Sequence, residues 1–189
     1  MPPIPKTESR TLQAVGARRP GGSAPSRADL VQNLRRFAGE GGGIVALFDA
    51  RAIAGERHLL SAWAHMGRTR ARGESRLRDR GAELALYVAG DDQLPRALAK
   101  VGVAEDSQSF VLLVERPREP DAVLAALGLV RDDSVYPKAP TAETLERLGV
   151  SPVEREAVPA SAWEGLVLER VALLELSSAH AATEATAKP

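Results

Sequence analysis

The sequence predicts a single α/β domain, a small mixed β-sheet packed with α-helices, and three observations carry the prediction. Short apolar runs at Ile44 to Phe48, Leu84 to Val88 and Phe110 to Glu115 are bounded by Gly, Pro or Asp and have the length of buried strands. Between them, apolar residues recur at helical spacing, as in Leu94, Ala97, Leu98 and Val101. At 189 residues with 44% hydrophobic and 26% charged residues, the chain is long enough for one substantial core and ordinary for a globular domain.

In order, residues 1–28 are rich in Pro, Gly, Ser and Arg and read as a flexible segment holding one short strand around Thr11 to Val15. The domain proper spans 29–176. It opens with a helix from Asp29 whose apolar side is Leu30, Leu34 and Phe37, stopped by Gly41, Gly42 and Gly43. After the strand at Ile44, residues 56–80 form two helices or one bent helix with an apolar stripe of Leu59, Trp63 and Met66, and Gly67 and Gly73 as break points. The stretch Ala82 to Val103 reads as strand, tight turn and helix. Gly90 breaks the strand, Asp91 or Asp92 caps the helix, Pro95 sits in its first turn and Gly102 ends it. Further helices are expected at Asp121 to Leu127, at Thr141 to Leu148 and, after a capping box of Ser161 with Glu164, at Leu166 to Leu176. Residues 177–189 carry no core signal and read as a disordered tail.

Composition narrows the chemistry. With no cysteine there are no disulfides and no thiolate catalysis or ligation. No apolar run reaches the length of a bilayer span and no signal segment is visible, so the default expectation is a cytoplasmic protein. His58 and His65 lie seven apart on one helical face, about 10 Å along the axis, too far to share a metal whose ligands lie about 2 Å away. No nucleophile elbow surrounds Ser61, Ser75, Ser107 or Ser109, and no carboxylate pair stands out except Asp91 and Asp92. A phosphate loop at that turn is excluded, because two aspartates at a helix N-terminus would repel the anion. No catalytic residue, metal or cofactor is therefore assigned.

A neutral total conceals opposed segments. Residues 57–80 hold seven Arg against Glu74 and Asp79, whereas residues 119–175 hold 11 acidic against five basic residues. Arg68, Arg72, Arg76 and Arg80 come at intervals of four and would wind along one side of a continuous helix. Such a row is an electrostatic footprint for nucleic acid; a solvated helix face with incidental charge accounts for it equally well.

The runs GERHLLSAWAHMGRTRARG, AGDDQLPRALAKVGV, FVLLVE and LVLERVALLEL, in that order over about residues 44–176, resemble the small PRPK-binding subunit family of the KEOPS complex, archaeal type. The resemblance implies a non-catalytic subunit that binds the kinase-like ATPase of the complex. It also implies recruitment of tRNA by its single-stranded 3′ CCA end, for threonylcarbamoyladenosine formation catalysed by another subunit. On that basis Arg68, Arg72, Arg76, Arg80, His65 and Gln93 are the tRNA-binding candidates. Trp63, His65 or Tyr87 would be stacking partners, although Trp63 shares the stripe of Leu59 and Met66 and so belongs to the core. Leu94, Leu98, Val101, Leu166, Val167 and Leu174 are the candidates for binding the ATPase, against core packing as the alternative. One departure from the family is Asp92, where a basic or polar residue usually precedes the Gln. Two rival classes remain: a small-molecule-binding or enzymatic domain using the Gly90 to Asp92 turn, and a purely structural adaptor.

Overall fold

A computed structural model describes residues 12–22, 24–39 and 43–186, with the side chains of 38, 39 and 178–186 left aside. The chain is a single small α/β fold. Four strands, β1 (Leu12–Arg18), β2 (Val45–Asp49), β3 (Ser109–Glu115) and β4 (Val130–Arg131), form one sheet in the order β2-β3-β1-β4. Every pairing is antiparallel, so the sheet is not mixed in strand direction. Among the described residues eight helices surround it: α1 (Arg27–Gly39), α2 (Glu56–Ala71), α3 (Arg80–Ala89), α4 (Leu94–Val101), α5 (Pro120–Leu127), α6 (Ala142–Arg147), α7 (Pro152–Glu156) and α8 (Trp163–Thr186).

Alternation along the strands divides the interior in two. Leu12, Ala46, Phe48, Val111 and Leu113 face the larger core, shared with α2, α3, α4 and α8. Val15, Leu47, Phe110, Leu112 and Val114 face a smaller core closed by Leu30 of α1 and by Val123, Leu124 and Leu127 of α5. The segment expected to be flexible thus supplies an interior strand. Its Gly16 is required by contact: an added Cβ would lie 2.3 Å from the carbonyl oxygen of Asp132, where the chain joins the edge of β1.

The main correction falls on the stretch read as a strand. Ala82 to Val88 belongs to α3. Asp79 caps it through a bond from Ala82 N at 2.7 Å, and Gly90 ends it in the left-handed conformation at φ 58°, with Asp91 N donating to Leu86 O at 3.0 Å. Leu84, Leu86 and Val88 do alternate, but Ala85, Tyr87 and Ala89 between them are buried as well, so the run is a helix covered on almost every side. Periodicity cannot separate such a helix from a buried strand, and the Ala, Leu and Glu content decides for the helix.

Other boundaries shift less. α2 runs through Gly67 without a break and ends before Gly73. Ser161 lies inside a 3₁₀ turn, Ala160–Ala162, with no side-chain cap. The capping box at Ser151 and Glu154, which opens α7, escaped the reading. α8 continues past Leu176 to Thr186, where a disordered tail was expected. Thr11, Gly41 and Gly42 lie outside the described residues.

His58 is fully buried and joins α2 to α3. Its Nδ1 accepts from Ala54 N at 3.2 Å and its Nε2 donates to Val88 O at 2.8 Å. Burial pushes its pKa down to about 4, against the opposing bond to Val88. Because the unfolded chain protonates near 6.5 and the folded one only near 4, stability is greatest above pH 6.5 and declines as pH falls towards 4, by about 3 kcal/mol. Denaturant midpoints measured across this range should show that decline in the wild type and a flatter profile in His58→Gln. Parallel profiles would refute a buried neutral imidazole.

Candidate functional site

The four arginines expected to form a row do not. The helix that would carry them ends at Ala71, and residues 72–79 form an irregular connection to Arg80 at the start of α3. Arg68 and Arg72 instead converge on Glu175 of α8. Arg68 Nη2 lies 3.0 Å from its Oε2 and Arg72 Nη1 lies 2.8 Å from its Oε1, while His65 Nδ1 contacts the same carboxylate. Arg72 also donates from Nε to Glu74 at 2.9 Å. Burial alone would raise the pKa of Glu175, but the donors from Arg68, Arg72 and His65 outweigh it and hold the carboxyl at about 2. His65 is shifted down, chiefly by burial.

Arg80 makes a two-pronged pair with Glu115 of β3, at 2.7 and 3.2 Å, and stacks 5.3 Å above the ring of Trp63. Arg76 reaches Leu174 O and Ser177 Oγ on α8, at 3.4 and 3.3 Å. Trp63 is 7% exposed and Tyr87 is buried with its hydroxyl donating to Thr69 at 2.8 Å, so neither offers an open face for a base. Gln93 sits in the α3–α4 turn. Its backbone N–H donates to Asp91 at 3.0 Å, and no hydrogen bond joins it to the arginines among the described residues.

The connection 72–79 is itself fixed by Glu83, a carboxylate with no exposure in the first turn of α3. It accepts from Arg70, from Ser75 Oγ at 3.1 Å and from the Arg76 N–H at 2.7 Å. The sequence reading missed both Glu83 and Glu175. Glu175 lies far along the chain in the acidic segment, so counting charge in a local window could not pair it with Arg68. The only prior signal was that acidic segment.

Among the six apolar candidates for partner binding, Val101, Val167 and Leu174 are core residues and Leu94 and Leu166 are half-buried against the core. Leu98 remains, 48% exposed, with Leu173 and Leu176 of α8 exposed at 61% and 58%. Leu98 lines a groove of about 350 Å³ between α1, β2, α3 and α4, whose apolar wall includes Leu34, Phe48 and Ala85 and whose rim carries Arg35. A second cavity of about 380 Å³ lies over Leu12, Ala14, Leu59 and Tyr136.

Neither cavity is lined by the Gly90 to Asp92 turn. The turn is internally satisfied: Asp91, 8% exposed, pairs with Lys100 at 3.0 Å and with Arg96 at 3.0 Å, and Asp92 pairs with Arg96 at 2.9 Å. The capping role expected of Asp91 or Asp92 is not played: Gln93 is the N-cap of α4, no side chain caps it, and Asp91 accepts from the N–H of Gln93 in the turn before the helix. Among the described residues no three His, Asp or Glu side chains converge as metal ligands would, and no helix is long and apolar enough to cross a membrane. No protein-family model matches the chain, and no curated protein matches it.

Replacing Glu83 by Ala would leave Arg70 without its counter-charge and would open the 72–79 connection. Loss of one partner from a buried pair costs about 3 kcal/mol or more. A fall of that size should appear in urea unfolding of Glu83→Ala, and a change below about 1 kcal/mol would show that the carboxylate is not a structural pin.

Proposed function

We propose that this chain is a non-catalytic subunit of the KEOPS complex, which binds the kinase-like ATPase subunit and helps to recruit tRNA through its 3′ CCA end. The observation that carries the reading is the ordered set of four sequence blocks together with their placement. They supply α2, α4 with the turn before it, β3 and part of α8, all of which contribute residues to one continuous core.

Support for the docking role comes from the exposed Leu98 beside an apolar groove. The tRNA role rests on the resemblance and on the excess of arginine near α2, and it is weakened by the ion pairs that engage Arg68, Arg72 and Arg80. A purely structural adaptor is the second reading, and those same ion pairs favour it. The enzymatic reading of the Gly90 to Asp92 turn has the least support, since its carboxylates are already paired.

Two measurements decide. Intact tRNA should bind at least about tenfold more tightly than tRNA lacking its CCA end, with affinity falling steeply as salt rises; equal binding would leave the adaptor reading. Leu98→Glu should abolish co-purification with the kinase-like subunit while the far-ultraviolet spectrum stays unchanged. Retained co-purification would remove the groove beside α4 as the docking surface.

A further inference from the structure

The sheet is left uncovered at one place. Ala14 lies mid-strand in β1, an interior strand, yet it is exposed, and the cavity of about 380 Å³ between α2 and residues 131–138 opens onto it. The backbone is open there as well. Asp132 N–H donates to Gly16 O and Arg19 N–H donates to Gln108 O, so the even-numbered residues of β1 turn their N–H and C=O away from β3. β4 pairs only with Ala17 and Arg18, and Gly16 is met by Asp132 and Asp133, which leaves both groups of Ala14 unpaired among the described residues. Opposed residues of an antiparallel ladder exchange both bonds, so this edge matches an amine and a carboxyl carried on a single carbon.

The rim carries charge of both signs. Glu56 and Lys138 have no ion pair among the described residues, whereas Arg131 and Asp133 pair with each other at 2.9 Å. Gly55, just before Glu56, packs against Lys138: an added Cβ would lie 3.3 Å from the Lys138 carbonyl oxygen, so the two charged residues are neighbours in space. Tyr136 also lines the cavity, and its hydroxyl is buried with no hydrogen-bond partner among the described residues. Burial, with Glu56 nearby, pushes its pKa up to about 12, which keeps the phenol a donor at neutral pH. Leu12, Leu59 and Leu60 supply apolar surface. We propose that this cavity binds a free α-amino acid with an apolar side chain. Its carboxylate is taken by Ala14 N–H and Lys138, its ammonium by Ala14 C=O and Glu56, and its side chain by the leucines. A plain carboxylate would meet Glu56 as a like charge and a plain amine would meet Lys138 so, which leaves the zwitterion as the species both residues favour. A volume of about 380 Å³ falls within the range of about 300–1,000 Å³ usual for small-ligand sites. This binding is independent of the RNA and ATPase roles proposed above.

The whole chain is titrated with L-phenylalanine, with hydrocinnamate, which lacks the amine, and with phenethylamine, which lacks the carboxylate, while the Ala14 amide resonance and the heat of binding are followed. Phenylalanine should saturate the protein, move the Ala14 amide and bind at least about tenfold more tightly than either analogue. No binding of phenylalanine overturns the assignment, as does equal binding of either analogue or saturation that leaves the Ala14 amide unmoved. Ala14→Leu, which fills the cavity from an exposed position, should abolish binding while the unfolding midpoint holds, and binding that persists in the folded variant overturns the site. Should Ala14→Leu fail to fold, two changes at exposed residues decide. Lys138→Gln should weaken phenylalanine about tenfold without weakening phenethylamine, and Glu56→Gln should weaken phenylalanine without weakening hydrocinnamate. Unchanged affinity for phenylalanine in both variants refutes recognition of the zwitterion.

Discussion

The need to bury α3 governs this fold. Seven consecutive residues, Glu83 to Ala89, are shielded from solvent, which a helix achieves only when neighbours close on it from several directions. α2 and α4 flank it, α8 crosses it and β2 lies beneath it. The close approach of α8 shows at Gly90, where an added Cβ would lie 2.9 Å from Cβ of Arg170. Tyr87 brings its hydroxyl to Thr69 of α2, and Glu83 brings its carboxylate to Arg70, so the two buried polar side chains of this helix also hold α2 against it.

A neutral chain rich in arginine satisfies its interior charges by pairing, some of it local in sequence and some of it distant. Asp49, 1% exposed, collects Arg51 at 2.7 Å and Ser107 at 2.7 Å; burial works against its ionisation, but these donors prevail and keep its pKa below the usual value. Glu83, Asp91, Glu115 and Glu175 are each paired as well, with arginine or lysine brought from another element or turn. The planar fork of arginine suits this role because it can bond a carboxylate along two edges and still leave its stem to cover apolar surface. Between the basic and acidic stretches seen along the sequence, Arg57 pairs with Glu164, and Arg68 and Arg72 with Glu175, while Arg70 and Arg80 pair with Glu83 and Glu115.

Much of the architecture was legible because it depends on local signals. Asp29 and Leu30 announce α1, the run ending at Phe48 announces β2, and the Phe110 run announces β3. What failed depends on context. The buried run at Leu84 has no polar stripe to reveal its period, and β4, with two exposed residues, has no pattern at all; it exists because Asp132 N–H meets Gly16 O at 2.9 Å. The candidate site was legible in composition but not in geometry. Its residue types were noticed through Arg68 and Arg72, while their state was fixed by Glu175, which no spacing rule connects to them. Leu98 shows the same limit, since Val101 on the same short helix is buried and only the neighbours decide which of the two faces water.

The position of β1 bears on how the chain is made. Leu12–Arg18 lies between β3, which begins at Ser109, and β4, which begins at Val130. During synthesis this early segment leaves the ribosome with neither flanking strand available. Val15 and Ala17 then lack the strands that flank them in the fold until residues beyond 109 have followed. Closure of the sheet is thus a late, long-range event, and nascent chains halted before Ser109 would carry a strand with no partner to zip against.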